Sequence, residues 1–292
     1  MTKKKLTNFG FASDHETFVI AEIGINHGGN LDVAKRLIDS ASRTGCDAVK
    51  FQTYLTEKRA PSGHQSIFNV LKECELPPHA FEDLKQHALG VGLQFFSTPF
   101  DEESIEILES IGIEFYKVAS FDVANESLLK ALAETGKPVM MSVGMADLPD
   151  IRRAYEILSA GENRGLGLLH CISAYPTREK DTHLGVIPRL QESFPHCVIG
   201  YSDHTNDIKI PLYAVAMGAQ IIEKHFRINE SMSCVDAPVS ISENQMKKMV
   251  EEIRLLETIQ GDKIFGVRGV EKETEIFRRK NKQSEGFFLP RN

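Results

Sequence analysis

Residues 18–54 read FVIAEIGINHGGNLDVAKRLIDSASRTGCDAVKFQTY, and this stretch sets the repeat from which the fold follows. An apolar run, FVIAEIG (18–24), is followed by a segment of helical period, LDVAKRLIDSASRTG (31–45), that stops at Gly45. A second apolar run, AVKFQTY (48–54), comes next. Short apolar runs bounded by turn residues read as buried strands, and a helix between two of them makes a parallel crossover unit. Working outward, the same kind of run recurs as LQFFSTPF (93–100), EFYKVAS (114–120), PVMMSVG (138–144), LGLLHCIS (166–173), CVIGYSDH (197–204) and QIIEKHF (220–226). Helix-period segments such as HAFEDLKQHALGVG (79–92) and NDIKIPLYAVAMG (206–218) lie between them, with stop glycines at Gly45, Gly112, Gly136 and Gly218. Eight strand-then-helix units predict a (β/α)₈ TIM barrel, which needs about 250 residues and fits a chain of 292. An open doubly wound sheet is disfavoured, because NHGGN (26–30) lacks the GxGxxG spacing of a dinucleotide turn.

The expected organisation is an extension over 1–17, the barrel over 18–260 and a charged tail over 261–292. A polar insertion from Thr56 to Pro78 lengthens the second loop, on the side of a barrel where long loops are often functional. Hydrophobic residues make up 41% and charged residues 26%, as in an ordinary globular protein. A net charge of −7 argues against a nucleic-acid or anionic-membrane surface. The uncharged run Ile210–Ile222, 13 residues, is too short to span a bilayer. Five scattered cysteines without a CxxC pair fit a reducing compartment, and MTKKKL leads into no apolar signal core. A cytoplasmic location is the expectation.

In such barrels the active site lies at the C-terminal ends of the strands. Those positions here hold Glu22, Lys50, Gln52, Ser97, Thr98, Lys117, Ser120, Ser142, His170, Ser173, Ser202, Asp203, His204, Glu223, Lys224 and His225. Unpaired charges are expensive to bury, so these groups pair with one another or with a ligand. Lys50 and Lys117 can clamp a phosphate as point charges, with the hydroxyls of Thr98, Ser120, Ser142 and Ser202 donating to the same anion. Structural pairing with acidic neighbours is the rival role for both lysines. His204 and His225 end adjacent strands and can share one divalent metal; the rival is two satisfied structural histidines. Glu22, on the first strand, meets the eighth once the barrel closes. The residues alone thus reach a barrel enzyme with a phosphorylated ligand and, on one reading, a metal.

The strings AEIGINHGGNL, DAVKFQTY, FFSTPF, YKVAS, GKPVMMSVGM, LLHCISAYPT, GYSDHT, IIEKHF and CVDAPVSIS, in this order from about residue 18 to 260, resemble the N-acetylneuraminate (sialic acid) synthase family. The resemblance implies an enzyme that condenses phosphoenolpyruvate with an amino-sugar aldehyde. It implies a manganese or magnesium ion on His204 and His225, and a phosphoenolpyruvate pocket of Lys50, Thr98, Lys117, Ser120, Ser142 and Ser202. Gln52, Ser173, Tyr175 and Asp236 fall at sugar-side positions, and Glu22 or Asp122 at positions that manage protons.

Family members usually carry a C-terminal antifreeze-like domain whose arginine reaches the partner subunit's site. This sequence stops soon after EKETEIFRRK, which resembles the linker to that domain, and Arg278, Arg279 and Arg291 offer no assigned substitute. Asp122 in KVASFD stands for a glutamate of sialic-acid members, and Ser173 for an asparagine of some. Two expectations follow. Either the pocket takes a different sugar, a 2,4-diacetamido-6-deoxy hexose or a non-acylated hexose, or a separately encoded antifreeze-like partner supplies the arginine; a homodimer is a further expectation. The competing functions are a synthase of shorter 3-deoxy acids, a metal-dependent pyruvate aldolase, which leaves the two lysines unexplained, and a non-catalytic sugar-binding subunit.

Overall fold

The computed structural model describes residues 17–161, 165–262 and 264–279. Residues 1–16 of the expected extension, and the end of the tail with Arg291, lie outside the described residues. The chain divides into two compact units, 1–257 and 258–292.

The first unit is a closed barrel of eight parallel strands in sequence order. They are β1 (Phe18–Gly24), β2 (Ala48–Thr53), β3 (Gln94–Pro99), β4 (Tyr116–Val118), β5 (Val139–Ser142), β6 (Leu166–Cys171), β7 (Val198–Asp203) and β8 (Ile221–His225). All eight expected strands form, and each is buried along nearly its whole length. Continuous apolar runs are what a sheet covered on both faces requires. Helices α1 (Leu31–Ser42), α2 (Thr56–Arg59), α3 (Gln65–Cys74), α4 (Pro78–Gly90), α5 (Glu102–Ser110), α6 (Glu126–Glu134), α7 (Leu148–Ser159), α8 (Val186–Ser193), α9 (Lys209–Ala216) and α10 (Glu243–Gln260) follow the strands. The insertion Thr56–Pro78 is therefore not plain loop: it holds α2 and α3.

Local chemistry sets the helix starts. Asn30 caps α1 by accepting from the Val33 N–H, Asp101 caps α5 through Ser104, and Asp147 forms a reciprocal capping box with Asp150 on α7. The apolar faces of these helices pack on the strands; Leu37 and Ile38 of α1 and Leu128, Leu129 and Leu132 of α6 are fully or almost fully buried. Closure is made by β1 against β8, with Glu22 beside His225, while on its other edge Glu22 lies beside Lys50 of β2. Register thus gathers three ionisable side chains from distant sequence at one rim. No helix among the described residues is long and apolar enough to cross a membrane. In the second unit, the described residues form two short 3₁₀ turns, Gly269–Glu271 and Glu275–Phe277.

Candidate active site

A cavity of about 500 Å³ opens at the C-terminal rim, within the size range of small-molecule sites. Its wall includes Glu22, Lys50, Gln52, Thr98, Lys117, Ser120, Ser142, Tyr175, Ser202, His204, His225 and Asp236. Every residue to which the resemblance gives a role is on that wall except Asp122 and Ser173; of the other strand-end residues Glu223 lines it, and Ser97, His170, Asp203 and Lys224 do not. Alternation along the strands explains the selection: Lys50 and Gln52 share one face of β2, and Glu223 and His225 share one face of β8, so Lys224 between them points the other way.

One side of the cavity is cationic. Lys117 Nζ donates to Ser142 Oγ at 2.6 Å and to the Val118 carbonyl at 3.0 Å. Lys50 Nζ lies 2.8 Å from Glu223 and 3.5 Å from Glu22, and Glu223 is also 3.7 Å from Lys117. Ser202 Oγ donates to Glu223 at 2.8 Å. Burial works against the charge on Glu223, but Lys117 and Lys50 outweigh it and hold the carboxyl below its usual range. Burial pulls Lys117 down to about 8. Glu22 shifts upward, because burial and the neighbouring Glu223 carboxylate outweigh its more distant lysine. Thr98 Oγ1 and Glu22 Oε2 are buried without hydrogen-bond partners among the described residues. The lysines are therefore ion-paired with acidic neighbours, and both also line the cavity.

Opposite them, the rings of His204 and His225 stand 5.3 Å apart between centroids. His204 Nδ1 donates to the Ile172 carbonyl at 2.8 Å, which fixes the tautomer and leaves the lone pair on Nε2. Burial lowers the His204 pKa to about 4, so the ring is neutral near pH 7. For His225, burial works downward, and the Asp236 carboxylate 3.4 Å from Nδ1 prevails and raises its pKa. Tyr175 lies against the His204 ring at 4.1 Å. Two imidazoles this close fit one divalent cation, at about 2.0–2.2 Å from a nitrogen of each. Among the described residues no group of three or more His, Cys, Asp or Glu forms a ready metal cage, so water and substrate oxygens would complete the coordination.

The loop after β8 is pinned by the NHGG segment. Asn26 donates from Nδ2 to the Phe226 carbonyl and to Ser240 Oγ, both at 2.9 Å, and accepts from the Asp236 N–H. Asp236 is thereby held over Gly24, where an added Cβ would lie 3.1–3.3 Å from Gln52, Glu22 and Asp236. Gly24 also has φ +55, so a side chain there is both strained and in the way of this polar cluster. Gly144 keeps similar room on the far wall: a Cβ would fall 2.6 Å from Ser173 Oγ and 2.9 Å from Ser120 Oγ.

Asp122 and Ser173 are not among the residues of that wall. Asp122 lies in the 3₁₀ turn Ser120–Asp122 and accepts from Asn125, the cap of α6, while its neighbours Ser120 and Phe121 line the cavity. The Ser173 hydroxyl packs against Gly144 instead. Two charged residues of the wall, Glu223 and Arg59, had no assigned role in the sequence. Glu223 was visible at a strand end, and only its distances to both lysines mark it as their shared counter-ion. Arg59 lies in the insertion, where no strand-end rule points.

Comparison with known proteins follows the same lines. The model of the NeuB family matches residues 37–265. The chain is 35% identical over 264 residues to an N,N′-diacetyllegionaminic acid synthase of Campylobacter jejuni, covering 85% of this chain and 79% of that protein. The crystal structure of an N-acetylneuraminic acid (sialic acid) synthetase from Leptospira borgpetersenii, solved with citrate, superposes with a TM-score of 0.87 at 37% identity, over 90% of this chain and 92% of that one. The spore coat polysaccharide biosynthesis protein SpsE of Bacillus subtilis gives a TM-score of 0.76 at 33% identity, over 93% and 73%. A barrel closed in sequence order, carrying this rim and matched over most of its length, belongs to the NeuB family.

Proposed function

We propose that this chain is a nonulosonic acid synthase. It condenses phosphoenolpyruvate with the open-chain aldehyde of an amino sugar, releases inorganic phosphate and yields a nine-carbon sialic-acid-type product. The observation that carries the reading is a single cavity with two lysines and their hydroxyls on one side and two imidazoles on the other. The two reported relatives that are named for an activity are both synthases and differ in the sugar acid they are named for.

In this reading Lys50 and Lys117 hold the phosphoryl group, and Thr98, Ser120, Ser142 and Ser202 fix its orientation through hydrogen bonds. His204 and His225 hold a divalent cation, manganese or magnesium, which when bound supplies Lewis-acid polarisation of the aldehyde oxygen. The C3 carbon of phosphoenolpyruvate attacks the aldehyde carbon, water adds at C2, and phosphate departs by C–O cleavage. Glu22, whose raised pKa and free Oε2 let it exchange a proton, serves the water or a sugar hydroxyl. Gln52, Tyr175 and Asp236 hold the sugar. Five cysteines free of disulfides fit a cytoplasmic setting.

Phosphate release from phosphoenolpyruvate, measured against a panel of amino sugars, tests the reading. Release is expected only with an amino sugar present, to be lost on chelation and restored by manganese. Release without any sugar, or formation of pyruvate in its place, would sink it.

A further inference from the structure

We propose that Arg59 is a specificity residue that reads the N-acyl group of the amino sugar, one guanidinium nitrogen donating to the acyl carbonyl oxygen. The inference rests on the synthase reading above.

The insertion after β2 builds a small apolar cluster separate from the barrel core, made of Ile25, Tyr54, Leu71 and Cys74 with Ala60 and Phe100 packed against it. It is tied down by polar contacts. Tyr54 donates to the Leu71 carbonyl at 2.9 Å, the Leu55 N–H donates to Asp101 at 2.8 Å, and the Thr56 N–H donates to Glu75 at 2.9 Å. Arg59 rests on this platform. Its Cζ lies 3.9 Å from the Phe100 ring centre and 4.4 Å from that of Tyr54. The two rings are themselves edge to face, 6.3 Å apart and 82° to each other, and a planar cation packed into the corner they form keeps one orientation.

Its hydrogen bonds show what is left over. Nη2 donates to Gln52 Oε1 at 2.8 Å, and Gln52 Nε2 donates in turn to Glu22 at 2.9 Å. Nη1 is buried and has no hydrogen-bond partner among the described residues. Leaving such a donor without an acceptor is unfavourable, and Arg59 lines the cavity in which a ligand would supply one.

The chemistry of the acceptor follows from the surroundings. Asp236, Glu22 and Asp122 already surround the guanidinium with negative charge, so an anion is not called for. The phosphate side, moreover, is built on Lys50 and Lys117. A neutral carbonyl satisfies the free N–H. Ile25 and Phe100, which belong to the same cluster and also line the cavity, accept the methyl end of an acyl group.

The test compares Arg59→Met and Arg59→Lys with the wild type in phosphate release, using matched N-acylated and free-amino hexoses such as N-acetylmannosamine and mannosamine. Loss of a charge-assisted hydrogen bond is expected to raise the KM of the acylated sugar in Arg59→Met by about 10- to 150-fold. The KM for phosphoenolpyruvate stays near the wild-type value, the preference for acylated over free-amino sugar collapses, and Arg59→Lys recovers part of it. Equal losses on both sugars, a loss on phosphoenolpyruvate, or no change would each overturn the proposal while leaving the synthase reading in place. A wild type that releases no phosphate with any amino sugar overturns both.

Discussion

Lys224 and Lys117 are 0% and 1% exposed, yet their surroundings differ in kind. Lys224 meets Asp203 at 2.7 Å and the Thr205 carbonyl, and Asp203 is further satisfied by Tyr201 and by the Thr205 amide and hydroxyl. One cation faces one carboxylate, away from the cavity. Lys117 instead stands 3.7 Å from a carboxylate that Lys50 holds at 2.8 Å. Two cations share Glu223, and both open onto the void. Burial alone therefore does not set the two lysines apart; a shared counter-ion at longer range beside a cavity does, and it is the arrangement the proposed clamp requires.

The sharpest way to break this contrast is Lys224→Met. It strands a buried carboxylate and is expected to lower stability by about 3–5 kcal/mol, read from denaturant unfolding, with phosphoenolpyruvate affinity retained in the folded fraction. Unaltered stability would remove the structural half of the comparison. Lys117→Met comes next. Glu223 keeps Lys50, so the fold suffers less, while phosphoenolpyruvate binding weakens by about 1.5–3 kcal/mol in titration calorimetry. Equal affinity would refute the clamp.

The smallest effect is on pH dependence. Lys117, lowered by burial to about 8, loses its proton as pH rises through that value, and affinity should fall by at most about tenfold per pH unit above it. The fold responds with the opposite sign. The unfolded lysine holds its proton more tightly, so this group's contribution to stability rises between its folded and unfolded pKa values. Lys117→Met should flatten the affinity profile in the same calorimetric series; a fall of equal slope in that variant would assign the titration to another group.

The strands were legible because a covered parallel sheet demands apolar runs, and because the polar or ionisable residues ending each run have no use in a core. FVIAEIG gives β1 at both ends, and QIIEKHF overshoots β8 by one residue on each side. EFYKVAS overstates β4, whose regular pairing shrinks to Tyr116–Val118 where the chain turns into a 3₁₀ helix. Asp122, singled out by the resemblance and not by its place at a strand end, lies in that 3₁₀ turn. Arg59 was illegible because its position depends on Phe100 and Tyr54 packing from two different loops. The role of Glu223 required distances that only the closed ring supplies.

Closure of that ring has a consequence for assembly. Glu22 and His225 are side by side, yet they come from the first and last strands of the barrel. A nascent chain carrying β1 to β7 already holds Lys50 and Lys117 but neither Glu223 nor His225, so the two lysines lack their shared counter-ion and the imidazole pair lacks one ring. Contacts so remote in sequence are among the slowest to form. A substrate that bridges Lys50 and His225 binds only after the last strand docks, and its binding free energy then adds to the closed form alone. The ligand acts as a clasp on the seam of the barrel.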